Sequence, residues 1–188
     1  QWSFLYPNRE GINLVEKSIA NATRLPFLNE HFKPAFFIHI VRNGYAVAEG
    51  IRRKGRPGYW ENPQYDHKYP LELCAEQWVQ HHNVVERDKI QVDNFLEIKY
   101  EDLVRNPVQT VRQITDFLNI SSTNREKLQG KWDVHGYGRP IENMNPESIG
   151  RLTTDEISVI NQVGRETLKV CDYDILNGNR GQLGGPHS

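Results

Sequence analysis

Apolar residues recur on a helical period from residue 11 to residue 25. Ile12, Val15, Ile19 and Ala22 share a face, with Leu14 and Ala20 beside it, which predicts a helix. Pro26 and Pro34 flank a short amphipathic connection. Ala35–Val41 is an unbroken apolar run, the pattern of a strand buried on both faces of a parallel sheet. It ends in Arg42, an Asn43-Gly44 turn follows, and Tyr45–Lys54 returns to helical spacing. Residues 55–70 interleave Gly and Pro with Tyr59, Trp60, Tyr65 and Tyr69, which predicts a long loop. Leu71–Lys89 predicts a strong helix, with Leu73, Ala75, Trp78, Val84 and Val85 as its stripe.

Phe95–Lys99 reads as a short strand. Asn106 then serves as N-cap and Pro107 as the first residue of a helix with an apolar face of Val108, Val111, Ile114, Phe117 and Leu118. A short helix is expected over 123–129 and irregular chain over 130–150. Thr153-Thr154-Asp155-Glu156 opens a last helix that runs to about Val170. The Gly-rich tail over 177–188 has no hydrophobic pattern and reads as disordered, which leaves one domain over 1–176. Two strands and about six helices make a small parallel sheet for an α/β protein, so a further strand is expected before residue 1.

Composition narrows the function. A chain of 188 residues with 37% hydrophobic and 25% charged residues fits a globular domain with a real core. A net charge of −1 speaks against a broad nucleic-acid surface, so the Arg52-Arg53-Lys54-Gly55-Arg56 cluster acts locally. Cys74 and Cys171 make no disulfide framework and favour a reduced compartment, cytoplasmic for a bacterial protein. No apolar run spans a membrane. The chain begins at Gln1, which is compatible with a preceding signal or anchor.

The chemistry gathers at Arg42. A strand that delivers a guanidinium to the start of a helix is a phosphate-binding arrangement. The helix offers N–H groups and a partial positive charge, and the arginine offers a planar fork. The competing reading is an ion pair with a carboxylate, since a buried guanidinium needs a partner. His39 reads as a satisfied core histidine. His81-His82 have no third ligand, and no metal site is assigned. Asp66-His67 and His135 fall in loops, and Tyr59, Trp60 and Tyr65 with Arg56 suit either an acceptor lid or a plain surface loop.

Several segments together resemble the sulfotransferase family that uses 3'-phosphoadenosine-5'-phosphosulfate (PAPS), nearest its tyrosylprotein and bacterial branches. Val41-Arg42-Asn43-Gly44 with Tyr45–Lys54 is similar to the family's 3'-phosphate strand–turn–helix. Glu16-Lys17-Ser18 with Asn21 and Arg24 is similar to its upstream "EKTP…N…R" segment. Ile98-Lys99-Tyr100-Glu101-Asp102-Leu103, Asn106-Pro107 and Phe117-Leu118 follow its "YEDL…P…FL" segment. Ser148-Ile149-Gly150-Arg151 and Cys171-Asp172-Tyr173-Asp174 resemble its closing pattern. The resemblance covers about residues 12–175. It implies a P-loop NTPase-like three-layer sulfotransferase fold, helix-rich, represented by the C-terminal two-thirds of the catalytic domain. The N-terminal strand and the 5'-phosphosulfate loop are absent from this sequence.

The resemblance implies sulfuryl transfer from PAPS to a hydroxyl or amine acceptor, with 3',5'-diphosphoadenosine (PAP) as product. Lys17 matches the lysine at the leaving phosphate oxygen; the alternative is a surface lysine on a helix. Arg42 and Lys54 match basic residues at the nucleotide, and for Lys54 the alternative is a solvated side chain. Gly50 stands where the family has a serine on the 3'-phosphate, and otherwise reads as a packing glycine. Tyr100 matches a tyrosine near the adenine, or is an ordinary half-buried tyrosine. Ser148 and Arg151 lie where the chain closes over the 3'-phosphate, although Arg151 also suits a helix-N-terminal surface position. The general base belongs to the absent region, so this fragment alone is expected to be inactive. The acceptor, whether a small molecule, a glycan or a protein, is not legible, nor is the oligomeric state. A P-loop nucleotide kinase and a non-catalytic nucleotide-binding module are the competing readings, although no Walker loop is visible.

Overall fold

The computed structural model describes residues 14–57, 64–65, 67–120, 132–134 and 137–177. A short helix α1 (Leu25–His31) precedes strand β1 (Phe37–Val41) and helix α2 (Gly44–Lys54). Helix α3 (Leu71–Asp88) leads to β2 (Phe95–Lys99), which runs directly into α4 (Tyr100–Arg105) and then α5 (Pro107–Phe117). An antiparallel hairpin pairs β3 (Trp132–Val134) with β4 (Tyr137–Arg139). A one-turn helix α6 (Asn145–Ile149) and the long α7 (Thr154–Val170) follow.

β1 and β2 pair in parallel, from Phe37 opposite Phe95 to Val41 opposite Lys99. Their carboxyl ends therefore lie together, which puts Arg42 beside Tyr100 and Glu101. Ligands of open α/β sheets bind outside this edge. Inside the pair, His39 Nδ1 lies 3.0 Å from Glu97 Oε2, so the histidine is satisfied by its cross-strand neighbour.

Helices α2, α3 and α7 enclose the core around Trp78. A Cβ built on Gly44 would stand 2.8 Å from the Trp78 ring, and one on Gly164 would stand 3.5 Å from it. Gly44 is thus the residue that lets the first turn of α2 close onto the indole. Tyr45, fully buried, donates its hydroxyl to Asn161 on α7 and accepts the Leu176 N–H at 3.0 Å. That pair of bonds ties the C-terminal segment back to the start of α2. Thr153 and Glu156 form a capping box on α7, and Glu156 also pairs with Arg52 of α2. Cys74 and Cys171 are free and buried, and burial pushes both thiols up to about 11, which makes them packing residues and not nucleophiles.

The structure corrects several expectations. The helix expected over 11–25 is not formed over its described part. Residues 14–18 carry no regular structure, Ile19–Thr23 is a 3-10 turn, and Pro26 opens α1 from within its first turn. The apolar face that suggested that helix is solvent-facing, with Val15 87% and Ile19 70% exposed, and an unpacked short helix is not stable. β1 is not buried on both faces: Ile38 and Ile40 point outward. The stripe of α3 runs through Leu71, Cys74, Ala75, Trp78, His82 and Val85, and leaves Leu73 exposed. Asn106 precedes α5, but its side chain makes no cap bond. The stretch expected to be irregular over 130–150 holds the β3–β4 hairpin and α6. The helix expected over 123–129, Tyr59, Trp60, Asp66, His135 and the tail from residue 178 lie outside the described residues. Among the described residues, no helix is long and apolar enough to cross a membrane.

Candidate functional site

Val41 is buried, and the chain turns at Asn43 so that Arg42 leaves the sheet at its carboxyl end. Asn43 caps α2: its Oδ1 accepts the N–H groups of Tyr45 and Ala46 at 3.0 and 3.4 Å. Those two donors were expected to serve a bound anion, and the protein uses them itself. The anion-binding capacity of the turn therefore rests on the guanidinium.

Arg42 is held from two sides. Its Nε donates to Asn145 Oδ1 at 2.7 Å, and its guanidinium carbon lies 4.5 Å from the centre of the Tyr100 ring. Its Nη2 is buried and makes no hydrogen bond among the described residues. No carboxylate among them reaches ion-pair distance of Arg42, so the ion pair weighed as its alternative fate is not formed. Tyr100 is fixed in turn: its hydroxyl donates to the Glu142 carbonyl at 2.9 Å and accepts the Met144 N–H at 3.0 Å.

Glu101 is the hub beneath this arrangement. Its Oε1 accepts the Asn43 N–H at 3.1 Å and the Asn145 Nδ2, and its Oε2 accepts the Tyr173 hydroxyl at 2.9 Å. Burial first, and the Glu101 charge second, push the Tyr173 phenol well above its ordinary range, so it stays a donor. One carboxylate thus joins the β1–α2 turn, α6 and the C-terminal segment.

The other sequence-selected residues divide by place. Gly50 is not a packing glycine: a Cβ there would meet nothing within 4 Å, so a serine would fit. Lys54 is exposed at the C-terminal end of α2, roughly 15 Å along the helix from Gly44 at about 1.5 Å per residue. Arg151 is not a free surface cation. It pairs with Glu147, and its Nη1 lies 3.5 Å from Oε2 of Glu49. Glu49, 2% exposed, also takes Arg53 Nε at 3.1 Å. Ser148 is buried on α6, three residues after Asn145. Lys17 is exposed in the irregular segment before the 3-10 turn and not on a helix. No hydrogen bond or ion pair joins it to the Arg42 cluster among the described residues. The structure therefore brings Arg42 and Tyr100 into contact, sets Gly50 and Lys54 on α2 with Arg151 paired to it through Glu49, and shows no bond from Lys17 to these residues among the described ones.

Sequence reasoning missed Asn145, Glu49 and the hub role of Glu101 and Tyr173. Glu101 and Tyr173 stood inside quoted motifs, but nothing in their spacing signals that they meet. Asn145 carried no signal beyond an Asn-Pro step.

A family model described as "Sulfotransferase family" matches residues 2–124, and the chain belongs to that family. The solved sulfotransferase domain from the curacin biosynthetic pathway has a similar fold. The two share a TM-score of 0.61 and 23% sequence identity, over 93% of this chain and 68% of that one. No curated protein matches the chain significantly.

Proposed function

We propose that the protein transfers the sulfuryl group of PAPS to a hydroxyl or amine acceptor, with Arg42 as the anchor of the 3'-phosphate. One observation carries the reading: a guanidinium at the sheet's carboxyl edge, oriented by a neutral amide and an aromatic ring, with a buried Nη2 that no described residue engages. A doubly charged phosphate is the complement of such a fork. Membership of the sulfotransferase family answers the kinase alternative.

PAPS supplies the activated sulfuryl group and a phosphate leaving group. The residues contribute binding and charge. Arg42 takes the 3'-phosphate, and Lys54 and the open space at Gly50 lie on α2, the helix that follows it. Tyr100, whose ring already carries Arg42, offers its surroundings to the adenine. Arg151 joins the phosphate by exchanging Glu147 and Glu49 for it, and Ser148 shapes the wall behind. Lys17, exposed and without a described partner, donates to the oxygen on which negative charge builds as the sulfuryl group leaves. In the full-length protein, Lys17→Ala should then lower kcat much more than it raises KM for PAPS.

Calorimetric titration tests the anchor. PAP should bind at least about tenfold more tightly than 5'-AMP, because one charge-assisted contact set is worth about 1.5–3 kcal/mol. Equal affinities would remove the 3'-phosphate from Arg42.

A further inference from the structure

We infer that Asn145 and Glu101 are positioning residues for Arg42: together they form a neutral relay that aims the guanidinium without neutralising it. The inference rests on the phosphate reading of Arg42. Asn145 has a donating and an accepting end, and its orientation is decided by its neighbours. Glu101 accepts and cannot donate, so Asn145 Nδ2 faces Glu101 Oε1 and Asn145 Oδ1 faces Arg42 Nε at 2.7 Å. The amide cannot flip without setting an oxygen against a carboxylate and an NH₂ group against a cation.

The consequence for Arg42 is geometric. Its Nε edge is used by Asn145 and one face by Tyr100, which leaves Nη2 without a partner among the described residues. A glutamate placed directly on Arg42 would hold the fork as well, but it would cancel the charge that a phosphate needs. Here the nearest carboxylate of the network stands behind the amide. Asn145 is 6% exposed, and its own N–H is tied to Asn143 Oδ1 at 3.0 Å, so the relay is held in place. Glu101 also takes the Asn43 N–H at 3.1 Å, so a single carboxylate sets both the side chain of Arg42 and the peptide that follows it.

The test is a titration of PAP and of 5'-AMP into each variant, read as the ratio of the two affinities, with melting curves to establish folding. Asn145→Ala and Glu101→Ala should each cut the PAP preference about tenfold and leave 5'-AMP within about twofold. The double variant should be no worse than either single one, because the two act as one unit. Glu101→Gln should keep the preference within about threefold. Its remaining oxygen can still take Asn43 and Asn145 while the Tyr173 hydroxyl turns to accept.

Asn145→Asp preserves the side-chain volume and provides a second arm if the alanine variant does not fold. It sets a carboxylate directly on Arg42 and should cut the PAP preference about tenfold at pH 7.5, where the 3'-phosphate has lost its second proton, whose pKa is about 6. A folded Asn145→Ala protein with an undiminished ratio, additive losses in the double variant, or an undiminished PAP preference in Asn145→Asp would each overturn the relay alone. A wild-type protein without preference for PAP would overturn the phosphate reading, and the relay with it.

Discussion

Arg42→Ala should cost about 2–4 kcal/mol of PAP binding, the loss seen when one member of a largely desolvated, hydrogen-bonded charge contact is removed. Lys54→Ala should cost less than about 1 kcal/mol, because its ammonium is exposed and its contact is screened by water. Arg42→Lys should rescue little. A lysine keeps the charge, but it has no Nε–H to give Asn145 and no planar face to lay on Tyr100. The measurement is the calorimetric dissociation constant of PAP for the three variants, with 5'-AMP as the control that should hardly change. A larger loss at Lys54 than at Arg42 would move the phosphate to the far end of α2.

The second large effect concerns stability. Trp78→Ala should lower the free energy of unfolding by about 3–5 kcal/mol, the usual cost of emptying an aromatic core site. The indole is buried between the first turn of α2 and the middle of α7. Both approach it through glycines, Gly44 and Gly164, which have no side chain to fill the space. Leu73→Ala, on the same helix, should cost less than about 1 kcal/mol because Leu73 is exposed. Urea unfolding followed by circular dichroism separates the two. A Trp78→Ala midpoint close to wild type would mean that the α2–α3–α7 core is not packed as described. The turn that carries Arg42 rests on this indole through Gly44, so the variant should lose nucleotide affinity as well.

Much of the scaffold was legible because it is local. The stripe that places Trp78 on α3, the β-branched run that ends in Arg42 and the Thr153 capping signal are each written within a few residues, and each element forms close to its expected bounds. Failures came where burial decides. Residues 14–18 have helical spacing but are exposed among the described residues, and Ile38 and Ile40 look like core residues while lying on an outward face. Family membership and a mixed α/β, helix-rich fold were both visible in the ordered motifs. The partners of Arg42 were not. Asn145 is 103 residues away in sequence and meets the guanidinium only because α6 docks against the carboxyl end of the sheet. Likewise Glu49, placed by periodicity on a helix, gives no sign that it will be buried between Arg53 and Arg151.

The proposed anchor of the sulfuryl donor is the 3'-phosphate of PAPS held at Arg42. Its most direct test is turnover by the full-length protein of labelled sulfate from PAPS and from adenosine-5'-phosphosulfate, which lacks the 3'-phosphate, against a panel of hydroxyl and amine acceptors. Transfer from PAPS should proceed with kcat/KM at least about a hundredfold above that for the shorter donor, equivalent to about 2.7 kcal/mol of anchoring. Equal use of the two donors, or no transfer from PAPS to any acceptor, would contradict it.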